Sequence, residues 1–153
     1  MTRSGLTQDD VVRLLTDPSG AARAETAGKI AAAFNSGAMG PAEREVAEEI
    51  FRLMVRDAEV RVREALAQNL KQSSGVPHEV ALALAKDVDS VAEPILKFSD
   101  VLTDADLVEI IRTQGPVKQI AVAARARVSE GVSSALVETG DETVVQTLVA
   151  NDG

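Results

Sequence analysis

The stretch DAEVRVREALAQNL, residues 57–70, has the spacing of an amphipathic helix. Its apolar residues Val62, Ala65, Leu66 and Leu70 recur at intervals of three or four positions, so a helix places them on one face. Whether this helix stands alone or is one copy of a repeat determines the fold that the sequence predicts.

Four further segments match VREALAQ, which starts at Val62. They are ARAETAG from Ala22, VAEPILK from Val91, VKQIAVA from Val117 and VVQTLVA from Val144. The five starts are separated by 40, 29, 26 and 27 residues, and internal periods of this size are typical of stacked helix pairs. One pair cannot bury its apolar stripe alone, so each pair needs the next to cover it. The sequence therefore predicts an all-α solenoid of about five helix pairs.

The composition supports this prediction. Only 2% of the 153 residues are aromatic, so the core must be built from Ala, Val, Leu and Ile, as suits closely spaced helices. Turn signals such as NSGAMGP at 35–41 divide the chain into ten short helices, the first of them after Thr7. We predict a single domain, residues 1–153, with repeats at approximately 6–36, 40–72, 76–100, 103–128 and 131–151.

Charge and residue content exclude several classes of function. The net charge is −8 and there is no long run of Lys and Arg, so no nucleic-acid partner is expected. The absence of cysteine excludes disulfides, thiolate catalysis and cysteine-bound metals. No apolar run approaches membrane-spanning length, and the N-terminus lacks the apolar region of a signal peptide. We therefore expect a soluble cytoplasmic protein with no cofactor and no membrane partner.

The D-x-x-V-R-x-x-(A/L) pattern of the opening stretch resembles HEAT repeats, whose Asp and Arg typically help to tie one repeat to the next. The resemblance implies a right-handed α-solenoid of HEAT-like helix pairs. It also implies that Asp57 and Arg63 are repeat-joining residues. Arg23 lies at the matching place in the first repeat.

Four segments are similar to a bacterial family of HEAT-like proteins of unknown function. Members of that family carry the patterns VA-x-P-(V/I)-L-x-x-S, LTD-x-DL, (I/V)A-x-R and LV-x-N. The corresponding segments here are 91–99, 102–107, 122–125 and 148–151. The resemblance covers most of the chain and is best over 57–151. Members usually continue beyond the last of these segments, so the resemblance raises the expectation that this chain is the N-terminal part of a longer protein.

Two helix starts carry capping signals. Thr103 and Asp106 are predicted to form a capping box. If Ser90 is the N-cap of an earlier helix and Glu93 completes its capping box, Pro94 falls at the end of the first turn, where its missing N–H costs little. Pro94 is therefore interpreted as a structural residue.

No catalytic or metal site is predicted, and the chain is not expected to be an enzyme. His78 is the one histidine and follows Pro77 at an expected helix start. Without a nearby orienting acid and nucleophile, it is interpreted as an exposed first-turn residue. A set of aspartates near helix ends lacks the spacing of a calcium-binding loop and is interpreted as helix caps; the set is Asp87, Asp89, Asp100, Asp104 and Asp106.

Six polar residues are the candidate partner-binding residues, because they cluster toward the C-terminal ends of the second helices: Asn69, Lys97, Ser99, Arg125, Arg127 and Asn151. The repeat alignment makes Asn69 equivalent to Asn151, and Ser99 equivalent to Arg125 one position further along. Polar groups that recur at one repeat position either satisfy turn carbonyls or contact a ligand, and both interpretations stay open. Reversing the charge of Arg125 is expected to weaken partner binding without changing helix content.

The leading functional interpretation is a non-catalytic module that binds another protein, or the rest of its own chain, through the concave surface of the solenoid. The alternative is a structural or self-association module. Val144, Val145, Leu148 and Val149 would stay partly uncovered unless a downstream repeat or a homodimer covered them. A remote alternative is an enzyme, since some HEAT-like proteins excise damaged bases or act on chromophores, but the chain is acidic and lacks Trp and Tyr.

Overall fold

The computed structural model describes residues 19–37 and 39–151, and within these ranges the chain forms nine α-helices and no β-strand. The all-α prediction is confirmed for this part of the chain, whereas the helix expected after Thr7 lies outside it. The helices are α1 (Gly20–Ser36), α2 (Pro41–Met54), α3 (Val60–Leu70), α4 (His78–Ala85), α5 (Asp89–Phe98), α6 (Asp104–Thr113), α7 (Pro116–Ala123), α8 (Glu130–Glu138) and α9 (Glu142–Ala150).

Side-chain caps begin several of these helices. Ser19, Ser129 and Asp141 each accept a hydrogen bond from a backbone N–H three residues later, and so cap α1, α8 and α9. The predicted capping box at the start of α6 is confirmed. Thr103 Oγ1 accepts from the N–H of Asp106 at 3.1 Å, and Asp106 Oδ2 accepts from the N–H of Thr103 at 2.8 Å.

The helices stack in two rows. Row one contains α1, α3, α5, α7 and α9, and each of these helices packs on the next in the row. Row two contains α2, α4, α6 and α8, in which α2 packs on α4 and α6 packs on α8. Helices that follow one another in sequence also pack across the rows, as α1 does on α2 and α4 on α5. These contacts are consistent with packed helical repeats, in which each pair covers the apolar face of the next.

The core is mainly aliphatic, as the composition predicts. Of the four residues predicted to share one face of α3, Val62, Leu66 and Leu70 are fully covered and Ala65 is half-buried. Two of the three phenylalanines, Phe34 and Phe51, meet edge to face with ring centroids 5.1 Å apart. Many other buried positions hold alanine, which lets neighbouring helix backbones approach closely.

Two arginine–aspartate pairs join the first three helices of row one, α1, α3 and α5, near the N-terminal ends of these helices. Arg23 of α1 donates from Nε and Nη2 to the two carboxylate oxygens of Asp57, which precedes α3, at 2.9 and 3.1 Å. Arg63 of α3 holds Asp87, which precedes α5, in the same way at 2.6 and 3.1 Å. All four side chains are at most 17% exposed, and this bidentate geometry gives strong hydrogen bonds. Asp57 and Arg63 therefore lie at contacts of the kind that the resemblance to HEAT repeats implies.

These ion pairs change the pKa values of their members. Burial raises the pKa of Asp57, but the hydrogen bonds from Arg23 and from the backbone N–H of Glu59, with the charges of Arg23 and Arg63, bring it below its ordinary value. The hydrogen bond to Asp87 raises the pKa of Arg63. Arg63 also donates to the backbone carbonyl of Asp57, so one guanidinium links two turns.

The arginine–aspartate series does not continue between α5 and α7. Ala92 follows Val91 as Arg63 follows Val62, and Gln114 precedes α7 as Asp87 precedes α5, so neither half of an ion pair is present. Instead, Gln119 Nε2 of α7 donates to the carbonyls of Ile111 at 2.8 Å and Gln114 at 3.1 Å. These neutral hydrogen bonds join α7 to the end of α6, and α7 packs on α5 through buried apolar residues.

The start of α5 differs from the sequence prediction. The capping box expected from Ser90 and Glu93 is wrong, because α5 begins at Asp89 and its N-cap residue is Val88, which makes no side-chain capping bond. The preceding turn is fixed by Asp87, whose Oδ1 accepts the N–H of Val88 at 2.7 Å while its carboxylate is bound by the arginine of α3. The start of α5 is therefore fixed by the contact of Asp87 with Arg63 of α3, and not by a capping box of Ser90 and Glu93.

Pro94 consequently lies inside α5, in its second turn, and is buried. It cannot donate the helical hydrogen bond that would reach the carbonyl of Ser90. The proline packs within the stack, as expected for a structural residue, but not at the end of the first turn.

The register of α7 differs by one residue from the repeat alignment. Val117, which the alignment matches to the buried Val62, is 46% exposed, whereas Lys118 is only 5% exposed. Lys118 lies four residues before the buried Val122 and therefore shares its face of the helix. Its aliphatic stem is covered while Nζ donates to Gln114 Oε1 at 2.8 Å. The alignment by residue type chose Val117 for the buried position, but Lys118 occupies it because its aliphatic stem packs like an apolar side chain.

The end of α7 also differs from the expectation that Arg125 and Arg127 lie toward the C-terminal end of a second helix. The helix ends at Ala123, so Arg125 and Arg127 lie in the turn that follows. A continued helix would place Arg125 on the face of the buried Ala121 and Val122. The turn instead lets its guanidinium reach the end of a neighbouring helix.

We predict that Arg63–Asp87 stabilises the fold more than the surface pair Arg52–Glu79, although the closest N–O distance is 2.6 Å in both. The side chains of the first pair are 15% and 12% exposed, whereas those of the second are 39% and 62% exposed. Water competes for the exposed pair, whereas the covered pair keeps both hydrogen bonds. In urea unfolding, an alanine double-mutant cycle should give a coupling energy of about 1–3 kcal/mol for Arg63–Asp87.

The same cycle on Arg52 and Glu79 is the matched control and should give a clearly smaller coupling energy. Equal coupling energies would contradict the role of burial in this prediction.

Candidate functional site

The C-terminal ends of the row-one helices lie side by side along one edge of the stack, here named the carboxyl edge. It comprises the last turns of α1, α3, α5, α7 and α9 and the residues that follow them. The last carbonyl groups of a helix have no partner within that helix. On the carboxyl edge, several of these groups accept hydrogen bonds from a side chain of the neighbouring helix or turn.

Arg125 joins the turn after α7 to the end of α5. Its Nη1 donates to the carbonyl of Leu96 at 2.5 Å, and its Nη2 donates to the carbonyl of Ser99 at 2.6 Å. Burial lowers the pKa of the Arg125 guanidinium, while the charges of Asp100 and Asp104 act in the opposite direction. Arginine stays protonated in proteins, so a positive charge is fixed beside the negative end of the α5 dipole.

Two asparagines make equivalent links at other junctions. Asn151 Nδ2 donates to the carbonyls of Ala123 at 2.7 Å and Arg125 at 2.6 Å, and so joins the end of α9 to the end of α7. Asn35 Nδ2 donates to the carbonyl of Asn69 at 2.5 Å, and so joins α1 to α3. Each link satisfies carbonyl groups at or near a helix end.

Between α3 and α5 the link is a cation–π contact. Lys71 Nζ lies 5.0 Å from the centre of the Phe98 ring. Phe98 is 44% exposed, so much of its ring remains open to solvent. Every junction between neighbouring row-one helices therefore has a side-chain link on this edge.

One repeat position supplies a residue to this edge in four successive repeats. Each such residue lies seven positions after a buried one: Asn69 after Val62, Phe98 after Val91, Arg125 after Lys118, and Asn151 after Val144. The sequence alignment matches Arg125 with Ser99 because it starts from Val117. The register of α7 moves that match to Phe98.

Four of the predicted partner-binding residues are engaged within the protein. Ser99 is fully buried, and its Oγ accepts a backbone N–H at 3.2 Å. Asn69 is half-buried and donates to the carbonyl of Ala65 in its own helix at 2.7 Å. The bonds of Asn69, Arg125 and Asn151 are of the carbonyl-satisfying kind, one of the two interpretations open from the sequence, whereas Ser99 satisfies an N–H group of the turn that follows it. Partner contact by these four residues stays a prediction.

Lys97 and Arg127 face a different environment. Lys97 is half-buried and forms a 3.4 Å ion pair with Glu93, one turn earlier. Arg127 is exposed, and within residues 19–37 and 39–151 its side chain makes no hydrogen bond or ion pair. Both residues line a cleft on the carboxyl edge.

Three clefts follow one another along this edge. The first cleft, about 460 Å³, is lined by the turn 72–75 and by Phe34, Asn35, Gly37 and Arg44. The central cleft, about 830 Å³, is lined by Gln72, Lys97, Phe98, Asp100, Ala124, Arg125, Ala126 and Arg127. The third cleft, about 500 Å³, is lined by Ala124, Thr143, Gln146, Thr147, Ala150 and Asn151. Gln72 borders the first and central clefts and Ala124 borders the central and third, so the three form a continuous series.

Positive charge is concentrated along the clefts although the chain is acidic. The whole chain has 24 acidic and 16 basic residues, and α2 alone carries four glutamates. The lining residues of the three clefts include one carboxylate, Asp100, and four cations: Arg44, Lys97, Arg125 and Arg127. Among the side chains that line the clefts, positive charges therefore outnumber negative ones, in contrast to the chain as a whole.

Sequence reasoning missed Phe98 as a surface residue. It lies seven positions after the buried Val91, so helical periodicity predicts that it is covered. It is exposed because it is the last residue of α5, at the rim of the stack where the neighbouring helices also end. Lys71 and Gln72 carried no periodic signal either, because they follow the end of α3.

His78 is exposed at the start of α4, as predicted, but it has an acidic partner that the sequence did not reveal. Its Nε2 lies 2.7 Å from Asp106 Oδ2, across a separation of 28 residues. Burial raises the pKa of Asp106, but the hydrogen bonds from Thr103 and His78 bring it below its ordinary value. Glu79, the neighbour in sequence, is instead paired with Arg52. The histidine contact thus joins α4 to the capping box of α6.

Neither a metal cluster nor a membrane span is found in the described part of the chain. No group of three or more His, Cys, Asp or Glu residues within 19–37 and 39–151 is placed to hold a metal ion. Among the helices of the same ranges, none is both long enough and apolar enough to cross a bilayer. Two of the aspartates interpreted as caps accept backbone N–H groups at helix starts: Asp87 and Asp106.

Arg125 and Arg127 should have opposite importance for stability, although they are two residues apart. Arg125→Ala leaves the carbonyls of Leu96 and Ser99 without their donors and should lower the free energy of unfolding by about 1–3 kcal/mol. Arg127→Ala removes an exposed side chain and should change it by less than about 0.5 kcal/mol. Urea unfolding followed by circular dichroism measures both.

A loss of stability at Arg127 as large as that at Arg125 would contradict this assignment. The contacts of Arg125 also alter the expectation for its charge reversal. That substitution disturbs the helix ends, so it does not isolate an effect on partner binding.

Comparison with known proteins identifies one family. Residues 91–153 match the model of a family described as an uncharacterised protein conserved in bacteria, DUF2336. The matched segment begins in α5 and contains Lys97, Phe98, Arg125 and Arg127 of the central cleft. No curated protein and no solved structure matches the chain significantly.

Proposed function

We propose that this chain is a right-handed α-solenoid of HEAT-like helix pairs that holds a segment of another protein along its carboxyl edge, without catalysing a reaction. In this proposal row one lines the concave face of the solenoid. Curved stacks of short helices are commonly used as extended binding surfaces. Among the predicted residues, Arg127 has the most direct access to a partner, because it is exposed at the central cleft and makes no side-chain hydrogen bond or ion pair in the described part of the chain. Lys97, by contrast, is half-buried there and paired with Glu93.

The continuous series of clefts is the observation that carries this proposal. The clefts cross the ends of α1, α3, α5, α7 and α9, and neighbouring row-one helices in a packed stack are about 8–10 Å apart. Four such spacings give an edge of roughly 32–40 Å. An extended segment rises by about 3.3 Å per residue, so roughly ten to twelve residues span this edge. A linear series of clefts of this length suits a peptide segment better than a compact small molecule.

Peptide selection tests the proposal directly. The purified chain is used to select binders from a random library of peptides of about twelve residues, the length derived from strand geometry. The selected peptides are then measured on Ala126→Trp, which fills the central cleft from an exposed position. We expect this variant to weaken binding at least about tenfold, because the indole occupies the volume that the peptide needs.

Ala105→Trp is the matched control, since Ala105 is also exposed but lies on α6 of row two. It should leave binding within about twofold of the unsubstituted chain. Circular dichroism confirms that both variants keep their helix content. Selected peptides that bind Ala126→Trp as well as they bind Ala105→Trp would refute the carboxyl edge as the binding surface.

Self-association is a second candidate, favoured by the apolar residues exposed at the last helix pair. Val149 of α9 is 77% exposed and Val137 of α8 is 55% exposed. Val145 and Leu148 are half-buried, whereas Val144, also expected from the sequence to stay partly uncovered, is fully buried because it packs into the stack. A second copy of the chain would cover such residues in a homodimer. Light scattering should then show a concentration-dependent dimer, and Val149→Glu should shift it to monomer. A strict monomer at high concentration would contradict this candidate.

A further inference from the structure

We infer that the central cleft recognises an acidic segment, in which carboxylates pair with Arg127 and Lys71 and an apolar side chain between them rests on Phe98. The inference rests on the proposed function and specifies the chemistry of the partner.

The charges of the central cleft divide into those already balanced and those still open. Arg125 is bound to two carbonyls, and the charge of Asp100 acts on it. Lys97 is paired with Glu93 at 3.4 Å. Arg125 and Lys97 are thus already engaged within the protein, so each supplies less attraction for an external anion than an open cation does.

Arg127 and Lys71 are open. Arg127 has no side-chain partner in the described part of the chain. Lys71 donates to the neutral Gln68 Oε1 at 3.3 Å, and no carboxylate of the described residues lies within ion-pair distance of it. An arginine guanidinium matches a carboxylate in a bidentate arrangement, and a lysine ammonium binds it as a point charge. Two unbalanced cations beside one cleft therefore select for negative charge.

The negative ends of the helix dipoles oppose this selection. The C-terminal ends of α3, α5 and α7 meet at the central cleft, and each carries the equivalent of about half a negative charge. Arg125 and Asn151 donate to carbonyl groups at two of these ends, with distances of 2.5–2.7 Å. These donors engage the carbonyl groups, so the open cations are the groups left to attract an anion.

Phe98 gives the cleft an apolar platform. It is 44% exposed, and Lys71 lies over its ring with Nζ at 5.0 Å from the centroid. One face of the ring is thus directed toward a cation, and an apolar side chain can pack on the exposed remainder. An aromatic group flanked by cations fits a sequence in which an apolar residue is bordered by acidic ones.

The partner length for this cleft follows from the helix spacing. The central cleft spans the ends of α3, α5 and α7, which are two spacings of about 8–10 Å. Extended backbone covers roughly 16–20 Å with about five or six residues. A fluorescein-labelled peptide Ser-Asp-Glu-Phe-Glu-Asp-Ser is therefore a suitable probe.

Fluorescence polarisation with this probe tests the inference. Arg127→Glu should weaken binding about tenfold, because an attraction is replaced by a repulsion of similar size. Arg127→Lys should retain most of the affinity. Arg56→Glu is the matched control, since Arg56 is also exposed but lies before α3, at the opposite edge of row one, and it should change binding by less than about twofold.

Three further probes separate acidic-peptide recognition from simpler attractions. A charge-reversed peptide, Ser-Lys-Arg-Phe-Arg-Lys-Ser, should not bind. Replacing the central Phe of the acidic peptide by Ala should weaken it about threefold to tenfold, as expected for the loss of one apolar contact. A thymidine oligonucleotide of about twelve nucleotides should bind more weakly than the acidic peptide at physiological salt. The reason is that Phe98 is the one aromatic side chain that lines the central cleft, so successive bases have no series of rings to stack on.

Several results would overturn the inference. These are no binding of the acidic peptide at about millimolar concentration, equal losses for Arg127→Glu and Arg56→Glu, or tighter binding of the oligonucleotide. The library selection gives an independent measure, because enrichment of Asp and Glu around an apolar residue supports the inference and enrichment of basic or uncharged peptides refutes it. In the latter case peptides still lost on Ala126→Trp would leave the proposed function intact, so the two failures are distinguishable.

Discussion

The short length of the helices is the constraint on which this structure depends. From α3 onward every helix has 8–11 residues, below the roughly 12–15 at which isolated helices become marginal in water. None of these elements can persist without covering its apolar face on a neighbour. Burial between successive row-one helices is therefore what makes each helix stable. This dependence explains why contacts between repeats, and not local motifs alone, decide where helices begin and end.

The fold could be predicted from the sequence wherever periodicity and composition act together. The stripe of Val62, Leu66 and Leu70 is buried as its spacing indicates, and the capping box of Thr103 and Asp106 forms as written. The prediction failed where a neighbour overrides a local rule. The turn before α5 is fixed by an aspartate bound to a distant arginine, so Ser90 does not cap the helix. Such a contact spans 24 residues and leaves no local pattern to read.

The candidate site was only partly visible in the sequence. Polar residues recur at the predicted helix ends, and the structure places these ends along the carboxyl edge. There Asn69, Arg125 and Asn151 donate hydrogen bonds to carbonyl groups. The single-residue shift at Lys118 hid the equivalence of Arg125 with Phe98, because an alignment by residue type does not show that a lysine stem is buried. Which cations are balanced and which are open is also decided in three dimensions. Lys97 and Arg127 are both basic residues near a predicted helix end, and the sequence does not show that Lys97 is paired with a glutamate while Arg127 is not.

The position of the arginine–aspartate pairs affects which substitutions this protein can accept during evolution. The arginine–aspartate pairs lie where row-one helices begin, and the clefts lie where they end. The residues that stabilise the packing of these helices are therefore separate from most of the residues that line the clefts. Substitutions at exposed positions such as Arg127 alter the surface, while the pairs at the opposite edge hold α1, α3 and α5 in register. Arg125 is the exception, since it serves the stack from within the cleft. Substitutions can therefore accumulate around a fixed Arg125 without loosening the fold, so the chemistry of this surface can change while the helix stack stays the same.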